Sequence, residues 1–369
     1  MSDTPQASQS ANPPLVPPRP RIVPQAGQAA WRAADLRTSD WMIPLGAEDL
    51  AELEQALTAL GGRAPQSAAE APLPHLGAVL RGAATRLDTG RGFVLLRGLT
   101  LERLGEALAE PLLVALGAHL GRPLPGLGGA VQRMVSAAGG ALRWRFHADA
   151  ADIVALLVLR QPPDVDPAML VAAASVHNEM MKRDRAALEL LYRPMPHATP
   201  TGEVIDLPVF STASGAFVGR YARDSIDAAQ RVPQTPRLTG PQMQALDLLD
   251  SLCAEPGLAL RMDVRPGDVL LFNPLQVWKR RAESLAELPA EPLPADPVPV
   301  TPEAAAEAGS QPGAMAEPLP PAPPPSPASP GKREALRLLL LTESSRALPE
   351  GLLALAGASA APGGTMVGG

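Results

Sequence analysis

The chain has 369 residues, 44 of them proline and 32 glycine, with a formal net charge of −6. Fifteen prolines lie from Pro289 to Pro330 and seven before Gln28, and the first stretch holds Glu291, Asp296, Glu303, Glu307 and Glu317 with no Lys or Arg. The remainder is close to neutral, which excludes a broad basic face for nucleic acid.

The polar, Pro-rich start lacks the apolar core of a secretory signal, and no apolar run reaches the roughly 18 residues a membrane helix needs. A single cysteine, Cys253, excludes a disulfide framework and a Cys-based zinc module and points to a reducing, cytoplasmic setting. Residues 1–27 read as a disordered arm. Leu50, Leu53, Leu57 and Leu60 then fall at helical spacing behind Glu48 and Asp49. Gly92 to Gly98 encloses a short apolar strand, and Leu101 to Leu120 reads as a helix that Pro111 kinks or divides. Leu142 to Phe146 and Ile153 to Leu159 are β-compatible, although the second also suits a helix. Leu170 to Leu191 reads as one helix, and Leu207 to Phe210 with Gly215 to Arg220 as a hairpin about Ala213-Ser214-Gly215.

Thr239 to Leu252 is an amphipathic helix capped by Thr239, with Met243, Leu246, Leu248, Leu249 and Leu252 on its apolar side. Leu258 to Met262 and Val269 to Phe272 read as strands joined by the turn Arg265-Pro266-Gly267-Asp268. Glu334 to Thr342 suits strand or helix equally, and 356–369 is a flexible Gly/Ala-rich tail. Many short strands with helices between the early ones predict a β-sandwich or barrel decorated by helices.

Two features carry chemistry. On a strand, His147 and Asp149 project from one face, so an imidazole and a carboxylate converge as in two-thirds of a facial iron triad. A surface or core-satisfied His147 accounts for the same spacing. Arg333 and Arg337 share a face if their segment is a strand, where a guanidinium seeks a carboxylate; in a helix both are solvated.

The order Gly92-Phe93-Val94-Leu95-Leu96-Arg97-Gly98, Leu116-Gly117-Ala118-His119-Leu120-Gly121-Arg122-Pro123, Phe146-His147-Ala148-Asp149, Arg265-Pro266-Gly267-Asp268 and Arg333 to Leu340 resembles the TauD/TfdA family, taurine-dioxygenase-like enzymes dependent on Fe(II) and 2-oxoglutarate. Val176-His177-Asn178-Glu179-Met180, Leu191-Tyr192-Arg193-Pro194 and Arg220-Tyr221-Ala222-Arg223 look like a bacterial branch of it. The resemblance runs from about Trp31 to Leu348 and implies an α+β fold with a mainly β core, a double-stranded β-helix or jelly roll with flanking helices. That domain spans 28–355, interrupted by a Pro/Ala-rich insert at 282–331.

The resemblance also implies an oxidoreductase that consumes molecular oxygen and 2-oxoglutarate at Fe(II), oxidises a small molecule and releases succinate and carbon dioxide. His147 and Asp149 match two metal ligands, Arg333 the arginine that grips the co-substrate, and Arg337 a second arginine that in some relatives meets an anionic substrate. Nucleic acid and membrane are not expected partners.

The chain departs from the family pattern in three places. Lys279 stands where the distal histidine is expected, and the last histidine in the chain is His197. Ala168 replaces a Ser or Thr that hydrogen-bonds 2-oxoglutarate, and Val165-Asp166 replaces a Gly-Gly. The chain is then either a divergent dioxygenase or a catalytically silent jelly-roll binding protein that has lost its distal iron ligand. A third reading completes a two-ligand metal site with water, Asn273 or Gln276. Arg220 and Arg223 either favour an anionic substrate or are solvated on a hairpin.

Overall fold

The structure is a computed structural model that describes residues 22–124, 130–136, 145–163, 167–213, 215–280, 283–285 and 332–343. Val165, Asp166, Arg281, most of 282–331 and the tail 356–369 lie outside them.

Two sheets face each other. The major sheet runs Met42–Pro44, Phe93–Arg97, Val269–Phe272, Ile153–Arg160, Glu334–Leu341, Val131–Ser136 and Glu283–Leu285, with Arg122–Pro123 also pairing on Glu334–Leu341. All its pairings are antiparallel except Met42–Pro44 on Phe93–Arg97. The minor sheet runs Leu260–Met262, Ala168–Ala172, Val277–Arg280 and Phe146–His147, antiparallel throughout.

Alternation along each strand sorts the side chains into layers. Leu336, Leu338 and Leu340 join Leu53, Leu80, Leu112 and Leu116 in a cluster between the major sheet and the early helices. Leu339 and Leu341 instead join Phe93, Val154, Phe272, Leu170 and Val277 between the two sheets. Val171 and Trp278 face away from that layer, against Leu188, Leu191, Leu246 and Leu249 of the later helices. The fold is the expected helix-decorated jelly roll, and at about 25 cal/mol per Å² of buried apolar surface these three layers supply its main driving force.

The helix expected from Leu101 to Leu120 breaks at Gly105, which has φ 83°, not at Pro111. Pro111 sits in the first turn of Ala109–Ala118, where its missing N–H had no intrahelical partner to lose. The helix expected from Leu170 to Leu191 is instead the strand Ala168–Ala172 followed by Ala173–Arg183 and Arg185–Leu191. Asp184 divides these helices, its side chain accepting from the Ala187 N–H at 2.9 Å. Ile153–Arg160 and Glu334–Leu341, ambiguous by composition, are both strands because each is paired on two sides.

In Gly240–Cys253 the Thr239 cap forms as expected, but Met243 is 48% exposed. Ala245 and Cys253 take buried places beside Leu246, Leu249 and Leu252. The hairpin Phe210–Ala213 with Ala216–Gly219 forms, while Leu207 belongs to Val204–Leu207, which pairs with Met195–Ala198. Within the stretch read as an arm, the chain is anchored at two points: Ile22 is buried, and Gln25 and Asn178 exchange hydrogen bonds of 2.7 and 2.8 Å.

The turn at Gly267 carries the chain from the minor sheet to the major one; it does not close a hairpin. Gly267 has φ 86°, and a Cβ there would lie 2.0 Å from the Leu99 carbonyl oxygen. Its neighbour Asp268 is buried and takes a two-pronged bond from Arg97, Nε to Oδ1 at 3.0 Å and Nη2 to Oδ2 at 2.7 Å. Gly267→Ala is expected to cost about 2 kcal/mol or more, read as a lower urea midpoint; an unchanged midpoint would contradict the close approach.

Candidate active site between the sheets

Three separate strands bring the predicted residues together. Lys279 is the register partner of His147 in the minor sheet. Opposed residues of an antiparallel pair share a face, with Cβ atoms about 5 Å apart. That face is the inter-sheet one: Val277, two residues before Lys279, packs there, while Trp278 and Phe146 face the later helices. From the major sheet Arg337 projects into the same layer, two residues before Leu339.

Asp149 lies among them. Its Oδ2 is 3.9 Å from His147 Nε2, and its Oδ1 accepts from Arg337 Nη1 at 2.7 Å. Arg337 also donates from Nε and Nη2 to Gln132 Oε1, at 3.0 and 2.5 Å. His147 and Asp149 are 13% and 12% exposed by side chain, so the pair is shielded but reachable. Arg333 is 1% exposed and donates from Nε to Gln161 Oε1 at 2.5 Å. The register shift opposite Glu334 and Ala335 falls on Ile153–Arg160, where Leu159 is the extra residue, and the pairing with Val131–Ser136 runs on unbroken, so Arg333 and Arg337 keep one face of their strand. The solvated-helix reading of this segment is overturned. Ala168 is buried at the start of its strand and offers no hydroxyl.

Arg220 and Arg223 are not solvated either; they are 5% and 7% exposed. Arg223 binds Asp227, Asp247 and Asp250 at 3.0, 2.9 and 3.1 Å, and Asp227 also takes Arg145 at 2.6 Å. Tyr221 donates to Asp250. This cluster ties the segment after the hairpin to Gly240–Cys253. The Ala148 N–H donates to the Tyr221 carbonyl at 2.6 Å, so the same segment fixes the loop between His147 and Asp149.

His177 is wholly buried, with Tyr192 Oη 2.9 Å from Nε2 and the rings of Phe210 and Phe217 edge-on to it. Burial lowers its pKa, and that of His197, below the ordinary 6.5. Between those folded values and 6.5 the unfolded chain binds more protons, so this stability is present in full above about pH 6.5 and is lost as the pH falls. The urea midpoint is expected to drop from pH 7.5 to 5.5, and by less in His177→Phe; an equal drop in both proteins would show that His177 does not contribute.

A separate cavity of about 620 Å³ is lined by His119, Arg122, Asp152, Phe217, Asn273 and Gln276. Asn273 and Gln276 donate there to the carbonyls of Leu87 and Asp88, so neither lines the small cavity that includes Asp149.

Residues 53–284 match the family described as Taurine catabolism dioxygenase TauD, TfdA family. The chain belongs to the TauD/TfdA family. It is thereby an oxidoreductase of the Fe(II)/2-oxoglutarate-dependent dioxygenase type. Among similar proteins, this TauD/TfdA chain is 24% identical to FR-33289 synthase of Streptomyces rubellomurinus over 281 residues, 68% of this chain and 81% of that protein. Its fold is similar to that of an asparagine oxygenase in complex with Fe(II), 2S,3S-3-hydroxyasparagine and succinate, with TM-score 0.54, 16% identity and coverage of 82% and 94% of the two chains. It is also similar to the non-heme iron oxygenase OrfP in complex with Fe, succinate and (3R,4R)-dihydroxy-L-Arg, with TM-score 0.52, 15% identity and coverage of 81% and 93%.

The donor set of this TauD/TfdA chain does not complete a three-residue iron site. His147 and Asp149 supply an imidazole and a carboxylate, but the strand position facing His147 holds Lys279, 6% exposed. Among the described residues no group of three or more His, Cys, Asp or Glu stands together that could hold a metal ion. An ordinary lysine ligates only after losing its proton, at a cost of about 4 to 5 kcal/mol at pH 7. Among the described residues, no helix is long and apolar enough to cross a membrane.

Sequence reasoning missed Gln132 and Gln161, whose amides carry no spacing signal. The Arg223 cluster did leave one: Arg223 and Asp227 are four apart, and Asp247 and Asp250 three apart, each on one helical face.

Proposed function

We propose that this chain acts on a small molecule in the cytoplasm through the His147, Asp149, Arg337 and Gln132 cluster, with Arg333 receiving the far carboxylate of 2-oxoglutarate. The observation that carries this reading is the convergence of His147, Asp149 and Arg337 in one shielded layer from strands of both sheets. Arg337 holds Asp149 through a charge-assisted hydrogen bond and is itself held by Gln132. Arg333 is buried and its Nε is held by Gln161, an arrangement that preorganises a guanidinium for a carboxylate. The amino-acid products named with the asparagine oxygenase and OrfP structures support a small polar substrate.

The reading extends to the chain's organisation: one jelly-roll domain over 28–355, with 282–331 inserted, 1–27 before it and 356–369 after it. Leu285, within the bounds read for the insert, and Ala335, after it, both pair with Met134 from opposite edges of one strand. Two strand spacings of about 4.8 Å separate them, so the chain leaves the sheet after Leu285 and re-enters it at Glu334 at nearly the same place.

A second reading, a silent binding protein, is favoured by Lys279 facing His147. Anaerobic Fe(II) titration followed by measurement of succinate release separates the two. The oxygenase reading expects 2-oxoglutarate-dependent succinate formation, with Arg333→Met weakening 2-oxoglutarate by tenfold or more, about 1.4 kcal/mol. Saturable 2-oxoglutarate binding without succinate would establish the silent reading, and no binding would overturn both.

A further inference from the structure

Arg220 and Arg223 lie three residues apart and are buried alike, but the chain treats them differently. Arg223 is surrounded by the three carboxylates of Asp227, Asp247 and Asp250. Arg220 has no ion pair among the described residues: Nη2 donates to Ser211 Oγ at 2.5 Å, while Nε and Nη1 are buried with no hydrogen-bond partner. Five N–H groups in a planar fork normally find acceptors, and a buried guanidinium normally finds a counter-charge.

The place of Arg220 is fixed on both sides. Its own N–H donates to the Val209 carbonyl at 2.6 Å, and the next residue's carbonyl takes the Ala148 N–H at 2.6 Å. Its side chain borders a cavity of about 20 Å³ that Asp149, His197, Leu207 and Tyr221 also line. That space holds about one water-sized group, so it receives the head of a ligand and not its body. Asp149 does not supply the missing charge, since its Oδ1 is held by Arg337.

His197 supplies none either. Its Nδ1 donates to the Met195 carbonyl at 2.8 Å, and burial with Arg220 nearby keeps the ring neutral. Burial lowers the pKa of Arg220 to about 10, so it remains a cation at neutral pH.

We propose that Arg220 is the substrate's anion anchor: the negative head of a small ligand, a carboxylate or phosphate-type oxyanion, enters beside Asp149 and takes N–H donors of Arg220 that no described residue accepts. This deepens the oxygenase reading by naming the substrate class of the same site, and rests on that reading for the role of the cavity. Nε and Nη1 lie on different edges of the guanidinium, so an oxyanion on one edge takes Nη1 together with the remaining N–H of Nη2 and neutralises the cation, which water does only in part. With the head fixed beside Asp149, the ligand's body extends along the layer that holds His147.

Iron-free protein without 2-oxoglutarate provides the test, through calorimetric titration with acetate, inorganic phosphate and uncharged acetamide. Wild type is expected to bind one of the two anions saturably and to ignore acetamide. Arg220→Gln is expected to weaken that anion at least tenfold, while Arg231→Gln, at an exposed site, leaves it unchanged. Leu207→Phe keeps the charge and fills the cavity, and is expected to abolish binding even if Arg220→Gln fails to fold. Equal anion affinity in Arg220→Gln or in Leu207→Phe, or no saturable anion in wild type, overturns the anchor. Anion binding in a protein that releases no succinate after iron loading overturns the oxygenase reading alone.

Discussion

Lys279→His is expected to raise Fe(II) affinity by on the order of a hundredfold, about 2.7 kcal/mol, and to increase succinate release from 2-oxoglutarate. The reason is positional. Lys279 and His147 are register partners on the inter-sheet face, so an imidazole introduced there enters the layer that already holds His147 and Asp149. It brings a neutral donor in place of an ammonium, which must both lose a proton and surrender its repulsion of a metal cation. Anaerobic titration of wild type and variant side by side reads the effect. If the variant gains neither affinity nor succinate, His147 and Asp149 do not form a metal site, and the proposed role of this pair is wrong. Thermal unfolding of the two apoproteins should agree within a few degrees, because the change leaves the strand pairing of Val277–Arg280 intact.

Arg223→Met is expected to destabilise the fold by about 3 kcal/mol, seen as a lower urea midpoint with the slope unchanged. The side chain is 8% exposed and is the common partner of Asp227, Asp247 and Asp250. Removing it leaves three carboxylates facing one another, with Arg145 the one cation paired with them among the described residues, bound to Asp227 and Asp224. Asp247 is 63% exposed and its share is screened by solvent, so the loss falls mainly on Asp250 and Asp227. A midpoint within measurement error of wild type would show that this cluster is solvated and not structural. Because the Ala148 N–H rests on the Tyr221 carbonyl, the same variant should also loosen the turn between His147 and Asp149.

Much of the fold was legible because its signals are local. Leucine spacing placed Ala47–Ala59, Thr239 placed the start of Gly240–Cys253, and glycines bounded Phe93–Arg97. Errors came where local sequence suits two states. Leu170 to Ala172 is apolar without a period and became a strand because Leu260–Met262 and Val277–Arg280 flank it. Arg220 and Arg223 looked like hairpin arginines because nothing within four residues distinguishes a buried guanidinium from a solvated one, beyond Asp227.

By itself the sequence determined the elements that depend on near neighbours, the family through the order of its motifs, and the absence of any histidine after His197. It also marked Lys279 as the departure. Only the tertiary structure decided what these residues face. Asp149 and Arg337 are 188 positions apart and meet at 2.7 Å because two sheets stack with one face of each turned toward the other. The opposing register of Lys279 and His147, and the split between a neutralised Arg223 and an Arg220 without a counter-charge among the described residues, arise in the same way. Charge pairing across a core depends on which strands become neighbours, and that choice is made by burial of the whole apolar surface, not by any short stretch of chain.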